Sequence, residues 1–115
     1  NKPLEVYGDG LQTRSFCYVD DMIDGLVKMM QSENKITGPI NLGNPIERTV
    51  LDITKLIKKM IKSDSKIVFK KLPQDDPMKR RPDISLAKDL LGWDPKINFD
   101  VGLKKTIDYF RRKLF

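Results

Sequence analysis

The sequence predicts one small α+β domain. Its 115 residues are enough for a single domain and not for two. Short β-prone runs bounded by glycine and proline alternate with segments in which apolar residues recur at helical spacing. Because these strands are too short to build a complete doubly wound sheet, the pattern is typical of a small α+β lobe that packs on something larger.

Two strands and a helix are predicted in the first third of the chain. Leu4–Tyr7 is the first strand, ended by the turn signal Gly8-Asp9-Gly10, and residues 13–19 are a second β-prone run. A helix then opens at Asp20 and Asp21, because carboxylates are favourable at a helix N-terminus. Its apolar stripe is made of Ile23, Leu26, Val27 and Met30.

The middle of the chain is predicted to contain a strand, a helix and another strand. Residues 40–42 form the first strand, and residues 66–72 form the last. Thr49 caps the helix between them, with Asp52 three residues on as in a capping box. The buried face of that helix is expected to comprise Ile53, Leu56, Ile57, Met60 and Ile61.

The last third is predicted to hold a loop and two helices. Residues 73–82 are an irregular charged loop, and Asp83 caps a short helix over 84–91 that ends at Gly92. The final helix begins near Asp100. Its expected core stripe is Leu103, Ile107, Phe110 and Leu114.

Composition and charge limit the kinds of ligand and site that this chain can have. With 22 basic and 16 acidic residues the net charge is +6, which suits a phosphate-bearing ligand, a nucleic acid or an acidic surface, but equally follows from lysines on solvated helix faces. One cysteine and no histidine argue against an internal disulfide and a metal site. No apolar run or signal pattern predicts a membrane segment or a secretory leader. A start without methionine suggests a fragment or a processed product.

Two motifs resemble cofactor and catalytic signatures and are better explained otherwise. Gly8 and Gly10 would need a third glycine where Thr13 stands, followed by a helix, so they are expected to form a turn. Tyr109 and Lys113 have the Tyr-x-x-x-Lys spacing of a catalytic pair, but no cofactor loop precedes them. They are expected to lie on the basic outer face of an amphipathic helix.

Three features have both a structural and a ligand-binding interpretation. Arg14, in an apolar-aromatic run, either snorkels at a sheet edge or points into a site that binds carboxylate or phosphate. Asn41 suits a ligand or a local turn. The charged segment 74–83 is a solvated loop or a phosphate clamp. A nucleic-acid-binding module is disfavoured, because most lysines fall on outer faces of separate helices.

Four segments of the chain resemble the second half of extended short-chain dehydrogenases that act on nucleotide sugars. The segment containing Asp75-Asp76-Pro77 and Pro82-Asp83-Ile84 is similar to the UDP-glucuronate decarboxylase branch, whereas the first segment is shared with 4,6-dehydratases and 4-epimerases. The four segments are Leu4 to Phe16 with Tyr18 to Asp21, Gly38 to Pro45, Asp75 to Pro95, and Gly102 to Arg111.

The resemblance implies that residues 1–115 are the C-terminal nucleotide-sugar-binding lobe of such an enzyme, without its Rossmann domain. In that family NAD oxidises the sugar at C4, the resulting β-keto acid loses CO2, and NADH reduces the ketone to give UDP-xylose. A separate N-terminal half of roughly 200 residues holds NAD and the catalytic residues, so this chain alone is expected to be inactive. The complete protein is expected to be a homodimer in the cytoplasm or the secretory-pathway lumen, with no metal.

The resemblance also implies a role for six residues. Tyr7 lines the uracil pocket, and Gln12 lies near the nucleotide. Arg14 has the position of the family arginine near the diphosphate and the sugar carboxylate, where it assists catalysis. The remaining substrate-binding positions are those of Asn41, Arg80 and its neighbour Arg81.

Overall fold

The computed structural model describes residues 2–74, 77–78 and 80–114. The predictions made for Asp75, Asp76 and Lys79 lie outside these residues. The order of elements is β1 (Leu4–Tyr7), β2 (Thr13–Ser15), α1 (Val19–Met30), β3 (Glu47–Thr49), α2 (Val50–Met60), β4 (Ile67–Lys70), a π-helical turn (Ala87–Leu91) and α3 (Phe99–Leu114). The predicted α+β class is therefore confirmed.

The four strands form two separate two-stranded sheets. In one, β1 runs parallel to β4, with Leu4 opposite Ile67. In the other, β2 runs antiparallel to β3, with Thr13 opposite Thr49. The predicted strand at 40–42 is wrong, because this extended segment has no ladder partner among the described residues. The third strand is instead Glu47–Thr49, a polar run that is stabilised by pairing with β2 rather than by burial.

Local signals at two helix ends are confirmed. The Thr49 hydroxyl accepts a hydrogen bond from the Asp52 amide at 3.1 Å, which caps α2. Gly92 adopts a left-handed conformation, with φ of 62°, directly after the π-helical turn. The second strand ends at Ser15, earlier than the predicted run over residues 13–19.

The turn between β1 and β2 packs tightly on the start of α2. Gly10 has φ of +75°, and a Cβ placed there would lie 2.8 Å from the Cβ of Leu51. The Leu51 amide donates to the Gly10 carbonyl at 2.9 Å, and the Val50 amide donates to the Gln12 carbonyl at 3.0 Å. This contact requires glycine and brings β2 beside the N-terminus of α2.

Trp93 lies at the centre of the core. It is fully buried with Ala87 and Ile84. Its indole Nε1 donates to the backbone carbonyl of Asp21 at 2.9 Å. The buried Asp21 carboxylate in turn accepts from the Ile97 amide at 2.9 Å, so one residue of α1 holds the chain on both sides of the turn after the π-helix.

Several apolar side chains on the predicted helix stripes are exposed to solvent. The expected core stripe of α3 is only partly correct, since Phe110 is 51% exposed and Leu114 is 68% exposed. The α2 face is half-buried rather than buried. The α1 stripe also faces outward, and Met30 is 83% exposed. Among the described residues, no helix is long and apolar enough to cross a membrane.

Candidate functional site

A polar cleft lies between β2, the segment after residue 40 and the segment that follows residue 79. Its volume is about 510 Å³. Four of the six predicted site residues line it, namely Arg14, Asn41, Arg80 and Arg81. The other lining residues are Ser15, Phe16, Cys17, Met22, Leu42, Gly43, Asn44 and Pro82.

Arg14 extends from β2 into the wall of this cleft. Its Nη1 donates to two backbone carbonyl oxygens, those of Thr13 at 2.7 Å and Pro77 at 2.8 Å. The side chain therefore does not simply snorkel at a sheet edge. It lines the cleft and at the same time holds a distant part of the chain against β2.

The segment that carries Arg80 and Arg81 lies along β2. The Thr13 amide donates to the Met78 carbonyl at 2.6 Å. The Ser15 hydroxyl donates to the Arg80 carbonyl at 3.3 Å. These bonds bring two guanidinium groups, 66 or more residues from Arg14 in sequence, to the same cleft.

The opposite wall of the cleft is the segment around Asn41. The Asn41 amide Nδ2 donates to the Asp83 carbonyl at 3.4 Å. A Cβ placed on Gly43 would lie 2.9 Å from Cγ of Pro82, so the two segments approach closely. Asn44, which sequence reasoning missed, is buried, and its Oδ1 accepts from the Ile46 amide at 3.0 Å. The turn signal Gly43-Asn44-Pro45 was its only indication.

Tyr7 and Gln12 lie outside the residues that line this cleft. Gln12 is buried, at 4% exposure, and its Nε2 donates to the Tyr7 carbonyl at 3.0 Å. Tyr7 is 48% exposed at the end of β1. The two residues contact each other, and their role in binding a nucleotide stays a prediction.

The two rejected catalytic and cofactor signatures have the expected structural explanations. Gly8 and Gly10 both have positive φ within a turn, where the Asp9 carboxylate accepts from the Leu11 amide at 2.9 Å. Tyr109 and Lys113 lie on α3, and the Lys113 Nζ is 5.9 Å from the centroid of the Tyr109 ring. Neither feature contributes a side chain to the polar cleft.

The charge in the cleft suits an anionic ligand. Three arginines line it, and the described lining residues include no carboxylate. A guanidinium presents paired donors that match phosphate and carboxylate oxygens. Burial, and to a lesser extent the charge of Asp21, raise the pKa of the Cys17 thiol above its ordinary value of 9.0. Cys17 is therefore a neutral thiol near neutral pH rather than a nucleophile.

Asp83 lies at the edge of the cleft and turns its carboxylate toward the following residues. Its Oδ1 accepts from the Ser85 amide at 3.0 Å and from the Ser85 hydroxyl at 2.6 Å. These hydrogen bonds, with a smaller effect of the nearby Arg81 charge, lower the pKa of Asp83. The capping role predicted for Asp83 is only partly correct, because the π-helical turn begins at Ala87 with Leu86 as its N-cap, and the Asp83 carboxylate binds Ser85 ahead of that turn.

A second, larger cavity has a different character. It has a volume of about 720 Å³ and lies between α2 and α3. Its walls are largely apolar and aromatic, and they include Phe16, Phe99 and Phe110. Such walls offer few groups that could bind an anion, so the polar cleft is the better candidate for the site.

Comparison with known proteins identifies the family. Residues 1–106 match the family model of GDP-mannose 4,6 dehydratase. The chain belongs to this family. It is 53% identical over 111 residues to UDP-glucuronic acid decarboxylase 1 of Danio rerio, covering 96% of this chain and 26% of that protein. It is 47% identical over 114 residues to UDP-glucuronic acid decarboxylase 4 of Arabidopsis thaliana, covering 99% of this chain and 25% of that protein.

Solved structures of family relatives share the fold. UDP-glucose 4-epimerase of Thermotoga maritima with UDP-glucose superposes with a TM-score of 0.90 and 33% identity, over 98% of this chain and 36% of that one. UDP-glucuronic acid 4-epimerase of Bacillus cereus, in complex with UDP-glucuronic acid and NAD, superposes with a TM-score of 0.89 and 34% sequence identity. The superposition covers 96% of this chain and 36% of that one. The chain thus spans about a quarter of the curated relatives and about a third of these structures.

Proposed function

We propose that this chain is the UDP-sugar-binding part of an NAD-dependent UDP-glucuronate decarboxylase, which converts UDP-glucuronate to UDP-xylose and CO2. The observation that carries the proposal is the convergence of Arg14, Asn41, Arg80 and Arg81 on one cleft. UDP-glucuronate carries a diphosphate and a carboxylate, and both anions need cationic partners as they leave water. The identity of 53% to a protein named UDP-glucuronic acid decarboxylase supports this choice of substrate.

Each of the six predicted site residues, four of which line the cleft, has a proposed role. Arg14 contacts the diphosphate and the sugar carboxylate and assists catalysis by orienting the sugar. Arg80 clamps the diphosphate, with Arg81 in a lesser role. The Asn41 amide donates to and accepts from the substrate. Tyr7 and Gln12 bind the uridine, and the hydrogen bond from Gln12 to the Tyr7 carbonyl would hold that end of β1 in place.

We propose that NAD binds outside residues 1–115. The only glycine pair that resembles a dinucleotide loop is a turn between two strands, with no helix after it to receive a phosphate. We therefore assign NAD to an N-terminal Rossmann domain, so that residues 1–115 form one C-terminal domain of a longer protein. The exposed apolar stripe of α1 supports this assignment, because it needs a covering surface.

The complete protein is proposed to be a homodimer in the cytoplasm, with the secretory-pathway lumen as the alternative compartment. We propose no nucleic-acid partner, since the three arginines line one cleft of about 510 Å³ rather than an extended basic stripe. Fractionation of cells and light scattering of the purified complete protein test the compartment and the dimer.

A product assay tests the proposed activity. The complete enzyme, supplied with UDP-glucuronate and NAD, is expected to release CO2 and form UDP-xylose. This chain alone, in the same assay, is expected to form no product, because it lacks a cofactor loop. The alternative is a 4-epimerase or 4,6-dehydratase, for which the 33% identity to the Thermotoga maritima 4-epimerase is weaker support than the 53% identity to the Danio rerio decarboxylase. A 4-epimerised or dehydrated UDP-sugar formed without CO2 would replace the proposal with that alternative.

A further inference from the structure

The segment that carries the two adjacent arginines is held mainly by its backbone. We call residues 77–78 and 80–83 the arginine segment. Three of its carbonyl oxygens accept hydrogen bonds from β2: Pro77 from Arg14 at 2.8 Å, Met78 from the Thr13 amide at 2.6 Å, and Arg80 from the Ser15 hydroxyl at 3.3 Å. A fourth, that of Asp83, accepts from Asn41 at 3.4 Å.

These anchors come from both walls of the cleft. β2 holds the front of the arginine segment, and the segment around Asn41 holds its end, where Gly43 and Pro82 approach closely. The guanidinium groups of Arg80 and Arg81 therefore start from a backbone that is fixed on two sides. A guanidinium group binds an anion more tightly when its position is fixed before the anion arrives, because ordering a long side chain and its loop during binding costs affinity.

Among these hydrogen-bond donors, Ser15 is the one that binds the backbone of an arginine lining the cleft. Its hydroxyl donates to the carbonyl of the very residue whose side chain lines the cleft. From this geometry we infer that Ser15 is a positioning residue that acts on the ligand through Arg80. The inference rests on the proposed function in that it takes a nucleoside diphosphate as the ligand.

A double-mutant cycle on the complete enzyme tests this role, with UDP as the probe and calorimetric titration as the measurement. Ser15→Ala is expected to weaken UDP binding roughly two- to tenfold, the range for a neutral hydrogen bond. In an Arg80→Ala background the same substitution is expected to change the affinity by less than about twofold, because the guanidinium that Ser15 positions is gone even though the acceptor carbonyl remains. Ser15→Thr, which keeps a hydroxyl, is expected to retain most of the affinity.

A matched control separates positioning from loss of stability. Ser32 also donates its hydroxyl to a backbone carbonyl, that of Met29 at 2.7 Å, but it lies at the end of α1 and does not line the cleft. Ser32→Ala is expected to leave UDP affinity unchanged. Equal losses for Ser15→Ala with and without Arg80 would overturn the inference while leaving the proposed function intact. If the wild-type enzyme does not bind UDP, both the proposed function and this inference fail.

Discussion

Replacing Asp21 with alanine removes the side chain that ties α1 to the turn before α3. The buried Asp21 carboxylate accepts from the Ile97 amide at 2.9 Å. The backbone carbonyl of the same residue accepts from the Trp93 indole at 2.9 Å, and alanine keeps that carbonyl. The substitution therefore deletes the bond to Ile97 and spares the bond to Trp93.

The expected loss of stability follows from the bond that is deleted. A hydrogen bond to a charged group contributes about 1.5–3 kcal/mol. Asp21 also lies in the first turn of α1, where a negative charge adds about 0.3–1 kcal/mol. We expect the free energy of unfolding to fall by about 2–4 kcal/mol, which lowers the urea midpoint by on the order of 1 M.

Fluorescence of Trp93 provides the assay, because it is the only tryptophan of the chain and is fully buried. Asp24→Ala is the matched control. Asp24 lies on the same helix and forms an exposed i, i+4 ion pair with Lys28 at 3.6 Å, which contributes less than about 0.5 kcal/mol. If the midpoints of the two variants coincide, the argument that Asp21 is the main tie between α1 and this turn is refuted.

Four further predictions follow from the fold and the cleft. Gly10→Ala is expected to lower stability by about 2 kcal/mol, through positive-φ strain and overlap with α2, and an unchanged urea midpoint would contradict it. Because burial raises the pKa of Cys17 above its ordinary value of 9.0, its alkylation in the folded chain should be slower than in the unfolded chain at neutral pH and should still be rising with pH at 9.0; mass spectrometry across pH tests this, and a rate that levels off below pH 9.0 would contradict it. Arg14→Ala is expected to lower kcat/KM of the complete enzyme at least about tenfold, with incomplete rescue by Arg14→Lys. Arg80→Ala should cost more than Arg81→Ala, and near-normal kinetics of the Arg14 variant would exclude Arg14 from the site.

Local chemistry explains which parts of the fold could be predicted from the sequence. The Thr49 cap and the glycine turn at Gly92 depend on residues within a few positions, so their signals are complete in the sequence. The strand Glu47–Thr49 has no such signal, because it is polar and exists through pairing with β2 across more than 30 residues. The predicted strand at 40–42 has β-prone residues, but propensity alone supplies no partner strand.

The resemblance to a family, rather than local chemistry, predicted most of the candidate site. Arg14, Asn41 and Arg80 came from motifs of the family, and the structure brings them to one cleft. The contribution of Ser15 could not be predicted, because it depends on the carbonyl of Arg80 rather than on any side chain. A hydroxyl beside a site arginine in a short strand was the only available signal.

The use of backbone carbonyls as anchors affects how the arginine segment can change in evolution. Every residue type carries a carbonyl, so substitutions at Pro77 or Met78 leave the acceptors for Arg14 and the Thr13 amide in place. The side chains of the segment can therefore diverge, and with them the anion that the cleft prefers, without loss of its attachment to β2. By contrast, Arg14 and Ser15 supply side-chain donors, and only residues with equivalent donors can replace them.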